Sequence, residues 1–289
     1  MSEAEKYKKC GKLLTEDAKG VLNAYKNIIK WKDGCKVLDL GCGMGDITTN
    51  LLLPTLPKST KLIVGVDRIP ELVDHANRNN VLGSNVTFRM GDIFDHAFLE
   101  DLRDFDYVVS FDYLHHFADH KYFDNKQFDY LPITFRALLM NVKKVLKPYG
   151  EIFFHFCAAN SLFNIYKSMS CDEKWKRYLK NFDTHCSPYE NSIDIQKDIE
   201  NLFKHLGFQV YTCTVREKVY KIPLLEAIQI AISRCALSIP DQLKNDFVKD
   251  FLFYISKLNY RELDDNDVEY VVFCCQIAVV YGKKTVEES

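Results

Sequence analysis

The sequence lacks an excess of charge of either sign, since its 289 residues carry a net charge of −2 at neutral pH. Proteins that bind nucleic acid neutralise the phosphates with clustered Lys and Arg side chains. The charge balance therefore argues against a nucleic-acid partner and favours a small substrate that is neutral or anionic. The length fits one catalytic unit, built as an enlarged domain or as a core with a cap.

Long apolar segments and paired cysteines are also missing. The longest apolar stretch, Tyr270 to Tyr281, is interrupted by Gln276 and is too short to cross a membrane core of about 30 Å as a helix. The N-terminal residues MSEAEKYKKC contain no apolar signal-peptide region. The ten cysteines form no Cys-x-x-Cys pair, so reduced and mostly buried thiols are expected. These absences predict a cytoplasmic protein without membrane insertion.

Short apolar runs alternate with segments of helical period as far as Cys157. Runs of this kind belong to parallel strands that are covered by helices on both faces of a sheet. The pattern predicts a doubly wound α/β fold made of βαβ units. The predicted strands are Lys36–Leu40, Leu62–Asp67, Val86–Met90, Tyr107–Phe111 and Glu151–Phe156, and the predicted helices lie near Asp46–Leu53, Glu71–Asn80 and Phe135–Leu146.

The pattern changes after Cys157 and becomes mainly helical. Helices are predicted at Leu162–Asn181 and Ile193–Leu206, and strands at Phe208–Thr214 and Tyr270–Tyr281. Between those strands, apolar residues recur at steps of three or four, which predicts an amphipathic helix packed inside a cap. This apolar stripe consists of Leu243, Phe247, Phe251, Ile255 and Leu258.

The segment VLDLGCGMGDIT, residues 37–48, reads as a buried strand, a glycine-rich turn and the start of a helix. Gly41, Gly43 and Gly45 let the backbone turn sharply and approach a ligand, while the helix offers free amides at its N-terminus. Dinucleotide-binding loops have the spacing G-x-G-x-x-G. This loop has G-x-G-x-G with Asp39 two positions before the first glycine, which resembles motif I of the class I S-adenosylmethionine methyltransferases.

Two further strand ends support a cofactor site beside this loop. Asp67 closes the second strand, where it offers a carboxylate to ribose hydroxyls. The third strand ends at Asp92 and Ile93, and the resemblance implies that Asp92 bonds the adenine amine while Ile93 packs on the ring. The expected cofactor is S-adenosyl-L-methionine, with S-adenosyl-L-homocysteine as product. A nicotinamide oxidoreductase is the competing enzyme class if the glycine spacing misleads.

The fourth predicted strand runs into the residues SFDYLHHF, numbers 110–117, at the sheet edge where ligands bind. They lack the Asn/Asp-Pro-Pro-aromatic motif that enzymes methylating amines of nucleic acids share, which argues against an exocyclic amine acceptor. His115 or His116 could act as a general base, because imidazole accepts a proton near neutral pH. A metal site of Asp112, His116, Asp119 and His120 is the alternative, but we expect no metal because loop spacing does not fix a ligand geometry.

Beyond motif I, the chain resembles the insect juvenile hormone acid methyltransferases over nearly its full length. The matching stretches are Tyr7, WKDGCKVLDLGCGMGDIT, Ser110-Phe111 with Leu114-His115, FNIYKSMSCDEKW, SPYEN and HLGF. The resemblance implies a seven-stranded Rossmann-like sheet and a helical cap over an apolar tunnel. It also implies that a Gln and a Trp hold the substrate carboxylate. Leu14 and His116 stand at those two positions here.

These observations assign residues to two sites and divide the chain. Residues 1–33 are predicted to lie over the site, 34–157 to form the cofactor-binding core, 158–192 and 217–268 the helical cap, and 193–216 with 269–289 the rest of the core sheet. The cofactor site is assigned to Tyr7, Asp39, Gly41, Gly43, Gly45, Asp67, Arg68, Asp92, Ile93, Ser110 and Phe111. The acceptor pocket is assigned to Leu14, Tyr113, Phe117, Phe163, Tyr166 and Trp175.

The predicted activity is O-methylation of a small apolar acceptor, with a phenolic hydroxyl slightly favoured. A phenol, with a pKa near about 10, must lose its proton during attack, which suits a His at position 116. A carboxylic acid is already ionised at neutral pH and would miss the hydrogen bond that Leu14 cannot make. Methylation of a juvenile-hormone-acid, farnesoic or fatty acid is the alternative. An inactive cofactor- or ligand-binding protein is a third reading, and a homodimer is left open.

Overall fold

A computed structural model describes residues 3–79, 85–114, 133–179, 187, 189–190, 192–228 and 239–286. Eight strands form one sheet in the order β3-β2-β1-β4-β5-β8-β6, and the short β7 pairs with the outer part of β8. The strands are β1 (Lys36–Leu40), β2 (Leu62–Asp67), β3 (Val86–Met90), β4 (Phe105–Phe111), β5 (Leu146–Asn160), β6 (Phe208–Pro223), β7 (Arg261–Leu263) and β8 (Glu269–Lys284).

The first five strands are parallel, and β8 runs antiparallel between β5 and β6. The predicted α/β fold with a Rossmann-like sheet is therefore confirmed. The order reverses at β1, because β2 lies on one side of it and β4 on the other. Ligands of open α/β sheets bind beside such a switch point, at the carboxyl ends of the strands.

Helices cover both faces of the sheet. They are α1 (Glu3–Tyr25), α2 (Pro70–Asn79), α3 (His96–Asp101), α4 (Ile133–Val145), α5 (Phe163–Ser170), α6 (Ile195–His205) and α7 (Lys244–Lys257). Alternate strand residues pack on opposite faces, so Val37 joins the core under α1 and α2 while Leu38 joins the core under α4 and α6. Burial on both faces explains why these strands are continuous apolar runs.

A third core is formed by α5, α7 and the outer parts of β6 and β8, and we call this part of the molecule the cap. Phe247, Phe251 and Ile255 of α7 are buried there against Trp175 and against the outer part of β8. The predicted amphipathic helix is thus confirmed, with its apolar stripe facing the core of the cap. None of the helices in the described ranges is long and apolar enough to cross a membrane.

Several predicted elements differ from the structure in extent or geometry, among them the strand predicted at Glu151–Phe156, which runs from Leu146 to Asn160. The helix predicted at Leu162–Asn181 ends at Ser170, because turns with bonds from Cys171 N to Ser168 O and from Asp172 N to Met169 O follow it. The helix predicted at Asp46–Leu53 is present and begins at Asp46, with π-helical geometry over Thr48–Leu52 and a 3-10 turn after it that contains Pro54. The strand predicted at Phe208–Thr214 continues to Pro223, since it pairs with β8 throughout.

Candidate functional site

The glycine loop after β1 is held in a left-handed backbone conformation. The φ angles of Gly41, Gly43 and Gly45 are 79°, 54° and 80°. The amide of Gly41 donates to the carbonyl of Val66 at 2.8 Å, which fixes the loop beside the end of β2. A Cβ atom at Gly41 would collide with the ring of Tyr113. Glycine is therefore required at position 41 by conformation and by packing.

Two buried carboxylates lie under this loop. Oδ2 of Asp67 accepts a hydrogen bond from the Gly43 amide at 3.0 Å, and Oδ2 of Asp39 accepts one from the Thr48 hydroxyl at 2.6 Å. Burial raises the pKa of Asp67, and burial with the nearby charge of Asp67 raises the pKa of Asp39 to about 7. Carboxylates in this state gain from a positively charged ligand. Positive charge beside the loop would therefore stabilise the ionised form of both carboxylates.

The remaining strand-end residues of the assigned cofactor site lie around this loop. Oδ1 of Asp92 accepts from the Phe94 amide at 2.9 Å, which forms a turn at the end of β3. Ile93 is fully buried in the core, whereas Arg68 is exposed.

Two assigned residues come from β4. The hydroxyl of Ser110 donates to the carbonyl of Leu40 at 2.7 Å and so joins β4 to the end of β1. The ring of Phe111 packs edge-on against Phe153, with 6.0 Å between the centroids. Both residues therefore shape the sheet edge next to the loop.

Several predicted site residues fall outside the description. His115, His116, Phe117, Asp119 and His120 lie outside the described residues. Tyr7 lies within α1, but its side chain is likewise outside the described part. Their roles stay predictions.

The predicted acceptor residues fall into two groups. Tyr113 packs on the glycine loop at Gly41, and burial, aided by the carboxylates of Asp67 and Asp92, raises the pKa of its phenol. Leu14 is half-buried on α1.

The other group belongs to the cap. Phe163 and Tyr166 lie on α5, and the ring of Tyr166 lies 5.7 Å from that of Phe251. Trp175 is fully buried, packs edge-on against Phe247 at 5.2 Å and donates from Nε1 to Asp250 at 2.8 Å. Trp175 and Tyr166 therefore belong to the core of the cap in this structure, and their contact with an acceptor stays a prediction.

The structure also brings together polar residues that the sequence did not connect. Asp17 of α1, Asp112 after β4 and His155 of β5 each place one ligand-type atom within 4.8 Å of the other two. Asp17 also contacts the ammonium of Lys218 and the hydroxyl of Tyr220, both on β6. Burial lowers the pKa of Lys218 and raises that of Tyr220. The one available signal was His155, which interrupts the apolar run FFHF of β5.

Comparison with known proteins connects this geometry to a family. The model of a family described as methyltransferase domain matches residues 31–215, which include the glycine loop and all five parallel strands. Two curated relatives match nearly the whole chain. Juvenile hormone acid O-methyltransferase of Bombyx mori is 27% identical over 289 residues, with 98% of each chain covered. The Drosophila melanogaster enzyme of the same name is 24% identical over 294 residues, with 99% of this chain and 94% of the relative covered.

Solved structures show the same fold at lower identity. The YcgJ protein of Bacillus subtilis is 17% identical and has a TM-score of 0.54, with 92% of this chain and 99% of that chain covered. The [4+2]-cyclase SpnF is 14% identical and has a TM-score of 0.50, with 93% of this chain and 82% of that chain covered. These likenesses concern architecture alone, since one fold carries many chemistries. The relatives confirm the resemblance that the sequence motifs indicated.

Proposed function

This chain belongs to the methyltransferase domain family and is an S-adenosylmethionine-dependent methyltransferase, and we propose that it methylates the carboxylate of a small apolar acid. The products are then a methyl ester and S-adenosylhomocysteine. The observation that carries the proposal is the likeness to two juvenile hormone acid O-methyltransferases over nearly the full length of both chains. This reverses the order of preference reached from the sequence, in which a phenol came first.

Each residue around the glycine loop has a proposed role in binding S-adenosylmethionine. Asp67 is buried at the end of β2, where its carboxylate would accept hydrogen bonds from the ribose hydroxyls. Asp92 at the end of β3 would bond the adenine amine. Gly41, Gly43 and Gly45 allow the backbone to approach the methionine part of the cofactor. Tyr7, Asp39, Arg68, Ile93, Ser110 and Phe111 are proposed as the surrounding residues.

The bound cofactor supplies a methyl group that positive sulfur already activates. The work of the protein is therefore to align the acceptor and to exclude water. A carboxylate needs no general base, because it is ionised at neutral pH. Leu14 of α1, Tyr113 beside the loop and the apolar cap would enclose the hydrocarbon part of the acid. Apolar enclosure of this kind selects small or slender molecules over nucleic acid and protein.

A phenolic hydroxyl is the second candidate acceptor, because the proposed acceptor site would lie beside two buried carboxylates. Asp17 and Asp112 are both close to His155, and Lys218 is the ammonium group that contacts Asp17. Carboxylates disfavour an incoming anion unless positive charge offsets them. A neutral hydroxyl avoids this repulsion, and His115 or His116 would then act as base.

A methyl-transfer assay tests the proposal. The protein is incubated with methyl-labelled S-adenosylmethionine and, separately, with farnesoic acid, dodecanoic acid, simple phenols, RNA and histone tails. We expect label in extractable methyl esters and none in the macromolecules at physiological salt. Aryl methyl ethers without esters would favour the phenol candidate. Cofactor binding without any labelled product would contradict both and identify a binding protein.

A further inference from the structure

A buried pair of polar side chains lies where the carboxyl ends of β4 and β5 meet. Oδ2 of Asp112 lies 3.4 Å from Nδ1 of His155, and the two side chains are 7% and 3% exposed. Among the described residues, neither of these two atoms has a hydrogen-bond partner of adequate geometry. Unsatisfied buried polar atoms are rare in native proteins and often mark sites that a ligand completes.

The backbone holds this pair in place. The amide of Asp112 donates to the carbonyl of His155 at 2.8 Å, which extends the pairing of β4 with β5 by one residue. Asp112 has a φ angle of 52°, a left-handed conformation that is unusual for a residue other than glycine. Strain of this kind is concentrated at functional sites. The carboxylate is therefore fixed toward the imidazole by the fold itself.

The neighbouring charged groups are already matched. Asp17 on α1 is 4% exposed, and its two oxygens contact the ammonium of Lys218 and the hydroxyl of Tyr220. The other charged and titratable groups described here are Glu16, whose charge acts on Lys218, and the thiols of Cys157 and Cys275 near Tyr220. The opposite charges of Asp17 and Lys218 neutralise each other. Asp112 and His155 therefore form a second, separate pair in this cluster.

The pair lies between the cofactor loop and α1. Asp112 precedes Tyr113, whose ring packs on Gly41 of the loop. On the other side, Leu14 lies one helical turn before Asp17 and carries no hydrogen-bonding group. The polar head of an acceptor must find its partners elsewhere in this region, because a buried polar group without a hydrogen bond is costly.

We propose that His155, oriented by Asp112, is a positioning residue that binds the carboxylate of the acceptor. This inference rests on the proposed methylation of a small acid. In the complex with the acceptor, the 3.4 Å contact between Asp112 and Nδ1 would close to a hydrogen bond from Nδ1–H, and Nε2–H would donate to one carboxylate oxygen. The other oxygen forms the bond to the methyl carbon, and the electron pair of the broken carbon–sulfur bond stays on sulfur. The proton remains on His155, and no base is needed.

The test compares His155→Gln and Asp112→Asn with the wild type and with His96→Gln, a control at an exposed position on α3. For farnesoic acid, we expect kcat/KM to fall about 10- to 100-fold in His155→Gln, the range for a hydrogen bond to a charged group. The loss should lie mainly in KM. S-adenosylhomocysteine affinity should change less than twofold, because the pair lies outside the cofactor loop.

The division of the loss between KM and kcat separates this role from a structural one. In His155→Gln, KM for the acid should rise while kcat changes less than threefold, because the methyl-transfer step needs no proton from His155. A kcat/KM within threefold of wild type, or a loss that lies mainly in kcat, would overturn the proposal. If His155→Gln does not fold, Asp112→Asn decides by the same two readouts.

Two further results are diagnostic. A rate that requires added Mg²⁺ or Mn²⁺ and is lost in EDTA would also overturn the proposal, because a cation would then hold the carboxylate. Failure of the wild type to methylate any acid would contradict the proposed function itself, and that is seen before any variant is made.

Discussion

The cofactor side and the acceptor side of this protein are built in different ways. On the cofactor side, both carboxylates under the glycine loop have hydrogen-bond donors, from the Gly43 amide and the Thr48 hydroxyl. On the acceptor side, Asp112 and His155 leave two buried atoms without a partner among the described residues. The carboxylates of the first site already have donors within the protein, whereas we propose that the acceptor completes the second. Stability changes should therefore follow from the first site and changes of specificity from the second.

The largest effect on stability is expected from a substitution in the glycine loop. Gly41→Ala should lower the free energy of unfolding by about 2 to 4 kcal/mol, because a left-handed backbone disfavours a Cβ atom and the Tyr113 ring leaves no room for it. Urea denaturation measures the effect.

Gly20→Ala is the matched control for this change, since no atom lies within 4 Å of a Cβ at that position of α1. It should be neutral or should stabilise the protein by up to about 1 kcal/mol. A Gly41→Ala protein as stable as wild type would show that the loop is not packed as described.

The next largest effect concerns affinity rather than stability. Asp67→Ala should weaken S-adenosylmethionine binding by about 1.5 to 3 kcal/mol, because a charged acceptor of hydrogen bonds is lost from the loop. Calorimetric titration measures the dissociation constant. Asp101→Asn, at an exposed acid on α3, should leave it unchanged. Equal affinity in Asp67→Ala would remove Asp67 from the cofactor site.

A smaller effect concerns how the stability of the cofactor side depends on pH. Burial raises the folded-state pKa of Asp39 to about 7, so the folded protein keeps a proton that the unfolded chain loses near pH 4. The stability that this group contributes is therefore present at low pH and is lost as pH rises toward 7 and above. Asp39→Asn removes the titration.

The measurable quantity is the free energy of unfolding of Asp39→Asn minus that of the wild type, without cofactor. It should increase by about 1 to 2 kcal/mol between pH 5.5 and pH 8 in favour of the variant. A difference that stays constant across this range would mean that Asp39 titrates normally.

The contrast between the two sides also explains what the sequence could predict. The cofactor loop is contiguous, so the spacing of Gly41, Gly43 and Gly45 was enough to place it between a strand and a helix. The polar cluster joins Asp17, Asp112 and His155 from three separate elements. No local pattern encodes their contact, and the apolar strand around His155 gave a single hint.

Tertiary packing overrode local propensity in the cap. The sequence from Leu162 onward favours a helix as far as Asn181, but the helix ends at Ser170. Trp175 is instead held by its bond to Asp250 and by the ring of Phe247 on α7. The periodicity of a sequence does not reveal contacts between residues so far apart. The predicted length of the helix from Leu162 was therefore wrong, whereas the apolar stripe of α7, a local pattern, was predicted correctly.

The central claim is that the acceptor is a carboxylate, and one competition experiment tests it most directly. Equal concentrations of dodecanoic acid and 4-hexylphenol, two slender apolar molecules of similar length, are mixed with the wild type and deuteromethyl-labelled S-adenosylmethionine. Mass spectrometry then gives the ratio of labelled ester to labelled ether. Our account predicts that methyl dodecanoate predominates at least tenfold at pH 7. Predominance of the aryl methyl ether would contradict it.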